Sequence, residues 1–351
     1  MKYDYLIVGA GLTGSIIARE LKKRKKTVLI IDKRDHIGGN CYSEEIEGID
    51  VHKYGPHVFH TDNYYLWDYV NSFGRFYPFK QVSYAEIRGR LYNWPINLKT
   101  VCDFGCDLNP VPLGPDRNFE TVCLSKFGKV FYDVFIKDYT RKMWGVEPSE
   151  LPEELANRVE MKHSLDCHHF QDAYQGVPEC GWGEWFNRLL KDIPILLNTN
   201  YLVEKKYFDL CADIVIYTGP IDKFYFFRYG SLSWRSLRIE TKVFDFDDLQ
   251  FTSIIYYPEK DISFTRISEY KWFLPKRTYG DKTAASWEYP YSDVENPYYP
   301  MRMKQDMEIF KKYQKLAEKE RRTIFCGRLA DYKYYNMDQA IERAFEVLNK
   351  L

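Results

Sequence analysis

Residues 3–14 read Tyr-Asp-Tyr-Leu-Ile-Val-Gly-Ala-Gly-Leu-Thr-Gly, and these residues indicate the fold class most directly. Its first half, Tyr3–Val8, is short and apolar, which predicts a buried parallel strand. Its second half has the spacing G-x-G-x-x-G, and a helical pattern follows over residues 15–23. A second apolar run, residues 27–31, ends at Asp32. Strand, glycine turn, helix, strand and acid in this order predict a Rossmann unit that binds a dinucleotide.

The glycines of this motif have separate physical roles. Gly9 permits the tight turn, Gly11 lets backbone amides approach a pyrophosphate, and Gly14 lets the helix and strand pack closely. The helix N-terminus offers unpaired N–H groups to the phosphates. Asp32 can accept a hydrogen bond from the adenosine ribose, and its charge argues against the 2′-phosphate of NADP. The residues expected in this part of a cofactor site are Gly9, Gly11, Leu12, Thr13, Gly14 and Asp32.

The residues that follow Asp32 favour FAD over NAD. A basic residue, Lys33, precedes a Gly-Gly pair that ends in Gly39 and is followed by Asn40. Such a run brings the backbone close to a second stretch of phosphate and to the ribityl chain. This extended contact suits FAD better than NAD.

Two late segments complete the predicted Rossmann unit. Residues 213–217, followed by Thr218, predict a strand that returns to the cofactor. Residues 323–325 predict the last strand, and residues 337–349 the helix after it. The unit is therefore expected to be built from separated pieces of the chain.

The middle of the chain has two other patterns. Residues 97–165 are mostly helical, whereas residues 75–95 and 230–290 alternate polar with aromatic or β-branched residues, as antiparallel strands do. The predicted fold class is α/β with α+β insertions: a Rossmann-like FAD-binding domain with a helical and an antiparallel-sheet insertion. The predicted boundaries are 1–74, 190–230 and 305–351 for the FAD domain, 97–165 for the helical domain with a mobile lid, and 75–96, 166–189 and 231–304 for the sheet domain.

Composition excludes several classes of protein. The 351 residues carry 50 basic and 50 acidic side chains, so the basic excess of a nucleic-acid binder is missing. No stretch approaches the roughly 20 apolar residues of a membrane span, and the N-terminus lacks the pattern of a signal peptide. The 8 cysteines are scattered, which favours reduced thiols in the cytoplasm.

Several motifs together resemble the bacterial UDP-galactopyranose mutases over essentially the whole chain. The most specific blocks are His-Lys-Tyr-Gly-Pro-His-Val-Phe-His-Thr at 52–61 and Gly-Arg-Leu-Ala-Asp-Tyr-Lys-Tyr-Tyr at 327–335. The other matching segments are residues 5–14, 36–40, 138–145, 174–176, 217–222, 264–266 and 298–300. The chain is shorter than typical members, mainly around residues 97–120.

The resemblance implies a reaction and its cofactor. Members interconvert the pyranose and furanose forms of a nucleotide-diphosphate hexose, most often UDP-galactose, without net redox change. The reduced flavin is needed because its N5 forms a covalent adduct with the sugar, so the protein mainly positions groups and balances charge. The implied setting is the synthesis of cell-surface polysaccharide. The sequence does not fix the oligomeric state, and a homodimer is kept as a candidate.

The resemblance also implies roles for individual residues. Arg158 and Arg266 would clamp the diphosphate, which suits planar guanidinium groups, and His60 would lie near N5 and the sugar. Arg158 precedes a segment, residues 163–172, that matches the family's mobile lid. The implied substrate-binding residues are Gln81, Phe135, Tyr139, Thr140, Met143, Trp144, Phe170, Tyr256, Tyr299 and Tyr334. The implied cofactor-binding residues, besides the glycine motif and Asp32, are Lys33, Gly39, Asn40, His57, His60, Thr218, Arg328, Asn336 and Met337.

Several positions depart from the UDP-galactose enzymes. Met143 stands where a Gln usually reaches the uracil, and Tyr256 stands where an Asn is expected near the nucleoside. Gln81, His169 and Asn336 also replace the usual residues. An apolar Met would leave uracil groups unpaired, at about 1–3 kcal/mol, but would suit the methyl group of thymine. A dTDP-fucopyranose mutase of the same family is therefore the alternative.

Two other function classes stay open from the sequence. A flavin oxidoreductase such as an amine oxidase shares the Rossmann pattern but would leave Arg158 and Arg266 without a role. A nucleotide-sugar binder with flavin as a structural support is the second. His57 and His60 could form a metal pair, but no third ligand is evident, so no metal site is expected.

Overall fold

The computed structural model describes residues 2–274 and 280–351. Residues 275–279, within the predicted sheet domain, lie outside the described residues, as does Met1. The strands are β1 Tyr3–Val8, β2 Val28–Ile31, β3 Ser43–Ile46, β4 Ile49–His52, β5 Phe59–Thr61, β6 Phe76–Pro78, β7 Ser83–Ile87, β8 Arg90–Trp94, β9 Ile96–Asn97, β10 Met161–Lys162, β11 Tyr174–Pro178, β12 Ile195–Leu196, β13 Ala212–Tyr217, β14 Trp234–Phe244, β15 Ile254–Tyr256, β16 Arg266–Glu269, β17 Thr283–Ser292, β18 Tyr299–Pro300 and β19 Thr323–Phe325.

The helices lie mainly between these strands. They are α1 Leu12–Lys23, α2 Tyr64–Asn71, α3 Leu98–Phe104, α4 Phe119–Phe131, α5 Asp138–Trp144, α6 Trp182–Leu189, α7 Lys205–Cys211, α8 Ile221–Phe224, α9 Lys304–Ala317 and α10 Met337–Leu348. Short 3₁₀ turns cover Gly39–Cys41, Pro148–Glu150, Glu153–Arg158 and Tyr270–Phe273, and a π-helical turn covers Tyr132–Lys137. Among the described residues, no helix has both the length and the apolar character that crossing a bilayer requires.

A five-stranded parallel sheet forms the Rossmann core, in the order β12-β2-β1-β13-β19. Its strands come from distant parts of the chain, and β2 is buried along its whole length because helices cover both faces. Helices α1 and α10 pack together on one face. The predicted α/β class with a Rossmann-like unit is confirmed.

The predicted element ends differ slightly from those observed. Helix α1 begins at Leu12 rather than at residue 15, because Gly11 is already an extended N-cap with ψ of 177°. Strand β2 begins at Val28 rather than at residue 27, because the Thr27 amide donates to the Asp4 carboxylate at 2.7 Å. The last helix ends at Leu348, one residue earlier than predicted.

The larger insertion is a seven-stranded sheet in the order β18-β14-β17-β16-β15-β7-β8. Its neighbours are antiparallel except for the parallel pair β15–β7. Helices α3, α4 and α5 share one apolar cluster with this sheet, so the helical segment and the sheet have a common core.

A three-stranded sheet, β5-β11-β6, contributes side chains to the apolar clusters of both regions. Helix α6 follows β11 and packs its buried Trp182, Trp185 and Phe186 into the Rossmann core. The predicted boundaries place residues 166–189 in the sheet domain. That division of the chain stays a prediction.

Candidate active site

The glycine turn after β1 is closely packed. Gly9 has a φ of +108°, and a Cβ on it would lie 2.1 Å from Thr218 Oγ1. A Cβ on Gly14 would lie 2.2 Å from the Gly9 carbonyl oxygen. Because both distances are shorter than any side chain tolerates, the local geometry requires glycine at these two positions.

The N-terminus of α1 is open to an anion. No side chain caps it, and its first turn contains no acidic residue. Gly39 approaches from the opposite side so closely that a Cβ there would lie 2.8 Å from the Gly11 Cα. Two glycine backbones and a helix N-terminus thus meet where a diphosphate would be bound.

The acid at the end of β2 is held by backbone amides. Asp32 Oδ2 accepts from Ala10 N–H at 2.7 Å, and Oδ1 accepts from Arg34 N–H at 2.9 Å. Lys33 Nζ donates to the Glu295 carbonyl at 2.9 Å, and burial is the main reason that its pKa is lowered. Both side chains line the same groove.

This groove has a volume of about 540 Å³. Of the residues expected at the cofactor, all except His60 line it: Gly9, Gly11, Leu12, Thr13, Gly14, Asp32, Lys33, Gly39, Asn40, His57, Thr218, Arg328, Asn336 and Met337.

A second cavity of about 290 Å³ adjoins the groove. The two share the lining residues His57, Arg328, Asn336 and Met337. The sequence-derived residues in the second cavity are His60, Gln81, Tyr139, Thr140, Met143, Trp144, Arg158, Phe170, Tyr256, Arg266, Tyr299 and Tyr334. A ligand in this cavity would therefore contact the end of a cofactor in the groove.

Phe135 does not line either cavity, so the prediction that it is a substrate-binding residue is wrong. Its side chain is fully buried, and its ring packs against Phe131, Phe104 and Tyr92. The π-helical turn of Tyr132–Lys137 directs it into the core shared by the helices and the sheet.

Arg266 is paired across the sheet with an acid. Strands β16 and β17 place it opposite Glu288, and its Nε lies 2.7 Å from Glu288 Oε1. Burial raises the pKa of Glu288, while the Arg266 guanidinium acts in the opposite direction. Gly55 covers the pair: it has a φ of +89°, and a Cβ would lie 3.1 Å from Glu288 Oε1.

Arg158 lies at the cavity edge near the shared residues. Its guanidinium is 3.7 Å from the centre of the Tyr334 ring, and its Nη2 donates to Asn336 Oδ1 at 3.0 Å. The Tyr334 ring lies 4.9 Å from that of Tyr299, and Arg328 lies 5.1 Å from the Tyr334 ring. Two phenols and two guanidinium groups are thus gathered on one side of the cavity.

His60 lies on strand β5 and contacts the segment of residues 163–172. Its Nδ1 is 2.9 Å from Asp172 Oδ2, and its ring stacks on Phe170 with centroids 3.9 Å apart. His57 instead places its Nδ1 2.7 Å from the Gly55 carbonyl oxygen, so that nitrogen donates. The two histidines of the motif therefore have different partners.

Aromatic rings that do not line the groove are part of the second cavity. Tyr256 lies 5.8 Å from Trp94 and 6.2 Å from His169 between ring centroids. The His169 amide donates to the Gln81 carbonyl at 2.7 Å, which joins residues 163–172 to the sheet. Met143 lines the same cavity.

Comparisons with known proteins identify the family. The family described as UDP-galactopyranose mutase matches residues 134–334, and an NAD(P)-binding Rossmann-like family matches residues 7–73. A "Probable UDP-galactopyranose mutase" from Klebsiella pneumoniae is 36% identical, and the alignment covers 99% of this chain and 94% of that protein. The chain belongs to the UDP-galactopyranose mutase family. As a member, it is a flavin-dependent mutase and hence an isomerase.

Other similar proteins agree with this membership. A dTDP-fucopyranose mutase from Escherichia coli is 34% identical over 97% of this chain and 96% of its own length. A crystal structure of reduced UDP-galactopyranose mutase has a TM-score of 0.79 and 17% identity, and the match covers 100% of this chain and 95% of that one. A putrescine oxidase structure, with a TM-score of 0.60 and 13% identity, shows that the fold alone is shared with oxidases.

The residues of this mutase fit FAD. The groove joins an open helix N-terminus to a close approach of Gly11 and Gly39, as a pyrophosphate requires, and its other end opens into the second cavity. Among the described residues, no cluster of three or more His, Cys, Asp and Glu side chains could hold a metal ion.

Sequence reasoning missed several lining residues of this mutase. Arg34 lies 4.4 Å from the Tyr54 ring centre and donates to Asn40, while Phe226 and Phe227 also line the groove. Arg34 could have been predicted from its place two residues after Asp32, the acid expected at the ribose. The two phenylalanines had no signal, because they follow the short helix α8 and carry no motif of their own.

Proposed function

We propose that this mutase interconverts UDP-galactopyranose and UDP-galactofuranose in a reaction that needs reduced FAD. One observation carries the proposal: Arg158 and Arg266 both line a cavity that adjoins the dinucleotide groove. A cavity for a neutral metabolite would not need two guanidinium groups, whereas a diphosphate is bound well by them.

The chain's own residues bind the substrate and balance its charge. Arg266 and Arg158 bind the diphosphate and stabilise it as it leaves the sugar. Burial raises the pKa of Tyr299, so its hydroxyl stays protonated and donates to a phosphate oxygen, and Tyr334 donates beside it. The bound, reduced flavin supplies the nucleophile for the anomeric carbon.

The remaining lining residues enclose the sugar and the nucleoside. Tyr139, Thr140 and Trp144 form one wall, and Phe170 covers the opposite side through its stack on His60. Enclosure excludes water from the anomeric carbon, which prevents hydrolysis during the reaction.

The second candidate substrate is dTDP-fucopyranose. Met143 lines the cavity and is apolar, which suits a thymine methyl group, and one relative at 34% identity is named a dTDP-fucopyranose mutase. We further propose a cytoplasmic enzyme that serves cell-surface polysaccharide synthesis, with a homodimer as a candidate assembly.

An anaerobic turnover assay tests the function. The flavin-loaded protein is reduced with dithionite and given UDP-galactofuranose or dTDP-fucofuranose, and the products are separated by HPLC. We expect pyranose product from the reduced protein and none from the oxidised protein. Conversion of neither sugar by the reduced protein would contradict the proposal, and faster conversion of the dTDP sugar would select the second candidate.

Two variants test the role of Arg266 in the same assay. Arg266→Lys keeps the charge but loses the planar fork, so kcat/KM should fall roughly 10- to 100-fold. Arg238→Lys is the matched control, because Arg238 lies on the same sheet but is exposed and stacks on Tyr289. Equal effects of the two changes would show that Arg266 has no special part in the reaction.

A further inference from the structure

Three of the residues that line the second cavity are histidines, and two of them are held neutral. Burial, aided by the nearby His52, lowers the pKa of His57 to about 3, and its Nδ1–H donates to Gly55. Burial, aided by Arg266, lowers the pKa of His169 to about 3. Neither ring can carry a proton as a cation at neutral pH.

His60 differs because a carboxylate faces it. Its Nδ1–H donates to Asp172 Oδ2 across 2.9 Å, and this hydrogen bond is the main reason that the pKa of Asp172 is lowered. Within the described part of the chain, it is the one histidine of this cavity with a carboxylate partner. An ionised carboxylate at Nδ1 fixes the ring orientation and stabilises the imidazolium.

Strand pairing and nearby hydrogen bonds hold His60 and Asp172 next to each other. Strands β5 and β11 place His60 opposite Gln175, whose Nε2 donates to the Asp172 carbonyl oxygen at 2.7 Å. Ala173 N–H donates to Asp62 Oδ1 at 2.8 Å just beyond Asp172. With Nδ1 on Asp172 and one face on Phe170, the ring has Nε2 left for the cavity that it lines.

The reaction needs a proton carrier at this place. Changing a pyranose into a furanose breaks the C1–O5 bond and forms the C1–O4 bond, so O5 gains a proton and the O4 hydroxyl loses one. A single group can do both if it starts protonated, gives its proton to O5 and takes one back from O4. No net proton, electron or co-reactant is then consumed.

We propose that the imidazole of His60 is this proton carrier and that Asp172 is its positioning residue. The inference rests on the proposed mutase function. It assigns a role to an acid that lies in residues 163–172, so this segment supplies the carboxylate that orients the carrier.

The charge around His60 determines how activity depends on pH. Asp172 and His169 face it from residues 163–172, and Asp338 faces it from α10. Burial raises the pKa of Asp338, so Asp172 is the nearer and more readily ionised partner. Because the proposed carrier must start protonated, we expect activity to fall at high pH, and we expect that fall to begin at lower pH once the Asp172 charge is removed.

Asp172→Asn tests the inference, with Asp62→Asn as the matched control. Asp62 accepts a hydrogen bond from Ala173 N–H, next to Asp172 in the chain, but only Asp172 contacts His60. With flavin content and melting temperature checked first, kcat and KM are measured from pH 5.5 to 9. We expect Asp172→Asn to lower kcat about 100-fold at pH 8, less at pH 5.5, with KM nearly unchanged, and Asp62→Asn to match the wild type.

Three results would overturn the inference. An unchanged kcat and pH profile in Asp172→Asn would show that the contact is only structural. Equal losses in the two variants, or a change in KM alone, would show that the acid only places the segment over the substrate. A wild-type protein that binds and reduces flavin but converts neither sugar nucleotide would instead overturn the proposed function itself.

Discussion

At the scale of single residues, the site depends on how closely the backbone can approach charged side chains. Gly55 belongs to the His-Lys-Tyr-Gly-Pro-His motif and covers the Arg266–Glu288 pair. A Cβ at this position would lie 3.3 Å from Arg266 Nη2 as well as 3.1 Å from Glu288 Oε1. The motif has a glycine at this position because a larger residue would crowd the Arg266–Glu288 pair.

Gly55→Ala should reduce both stability and turnover. Gly48→Ala is the matched control, since Gly48 has a φ of +79° but nothing within 4 Å of an added Cβ. Both changes cost about 1–2 kcal/mol of backbone strain, and Gly55→Ala should cost about 1–3 kcal/mol more from crowding. Urea unfolding gives the difference. Equal stability and activity in the two variants would contradict the role given to Gly55.

At the scale of elements, the cofactor site depends on the contact between β1 and α1. The helix starts directly after the turn, so its first residues pack on the strand that precedes it. Gly14 allows this contact, because a Cβ there would also lie 3.1 Å from Ile7 Cγ2. Gly11 is different, since the nearest atom to its added Cβ is 3.8 Å away.

Substitution of these two glycines by alanine should therefore have different effects. Gly14→Ala should separate the helix from the strand and lower both the melting temperature of the apoprotein and its flavin content. Gly11→Ala should leave the apoprotein melting temperature nearly unchanged and lower flavin content alone, because its space belongs to the diphosphate. Thermal unfolding and flavin absorbance test this, and similar melting temperatures for both apoproteins would refute it.

At the scale of the whole molecule, the cofactor groove is assembled from distant segments. The glycine turn, Asp32, Thr218 and Arg328 all line it, although they span most of the chain. A ligand in the groove therefore ties together strands β1, β2, β13 and β19. Binding of such a ligand stabilises the folded state against unfolding.

Removing FAD should consequently lower the melting temperature, and adding FAD should restore it. At 100 times its dissociation constant, FAD stabilises by about 2.7 kcal/mol. Riboflavin has the isoalloxazine ring but neither diphosphate nor adenosine, so it should give a much smaller rise at the same concentration. Equal rises in calorimetry would show that the Gly-rich turn and Asp32 do not contribute to binding.

The parts of the fold that could be predicted were those with local signals. The strand at residues 3–8 and the glycine turn follow from spacing and apolar runs, and the structure contains both. The cross-strand partner of Arg266 could not be predicted, because Glu288 is joined to it only by the register of β16 and β17. The pair His60–Asp172 was missed for the same reason, since 112 residues separate its members.

Local sequence patterns were enough to predict the Rossmann unit, the family and most of the lining residues, because glycine spacing, strand periodicity and specific motifs are local properties. Which side chains meet, by contrast, is visible only in the folded chain. It placed Phe135 in the core, where helical spacing alone could not tell a core face from a cavity face. It also pairs His60 with the Asp172 carboxylate and His57 with the Gly55 carbonyl oxygen. The proton chemistry of each ring depends on these neighbours, which only folding brings together.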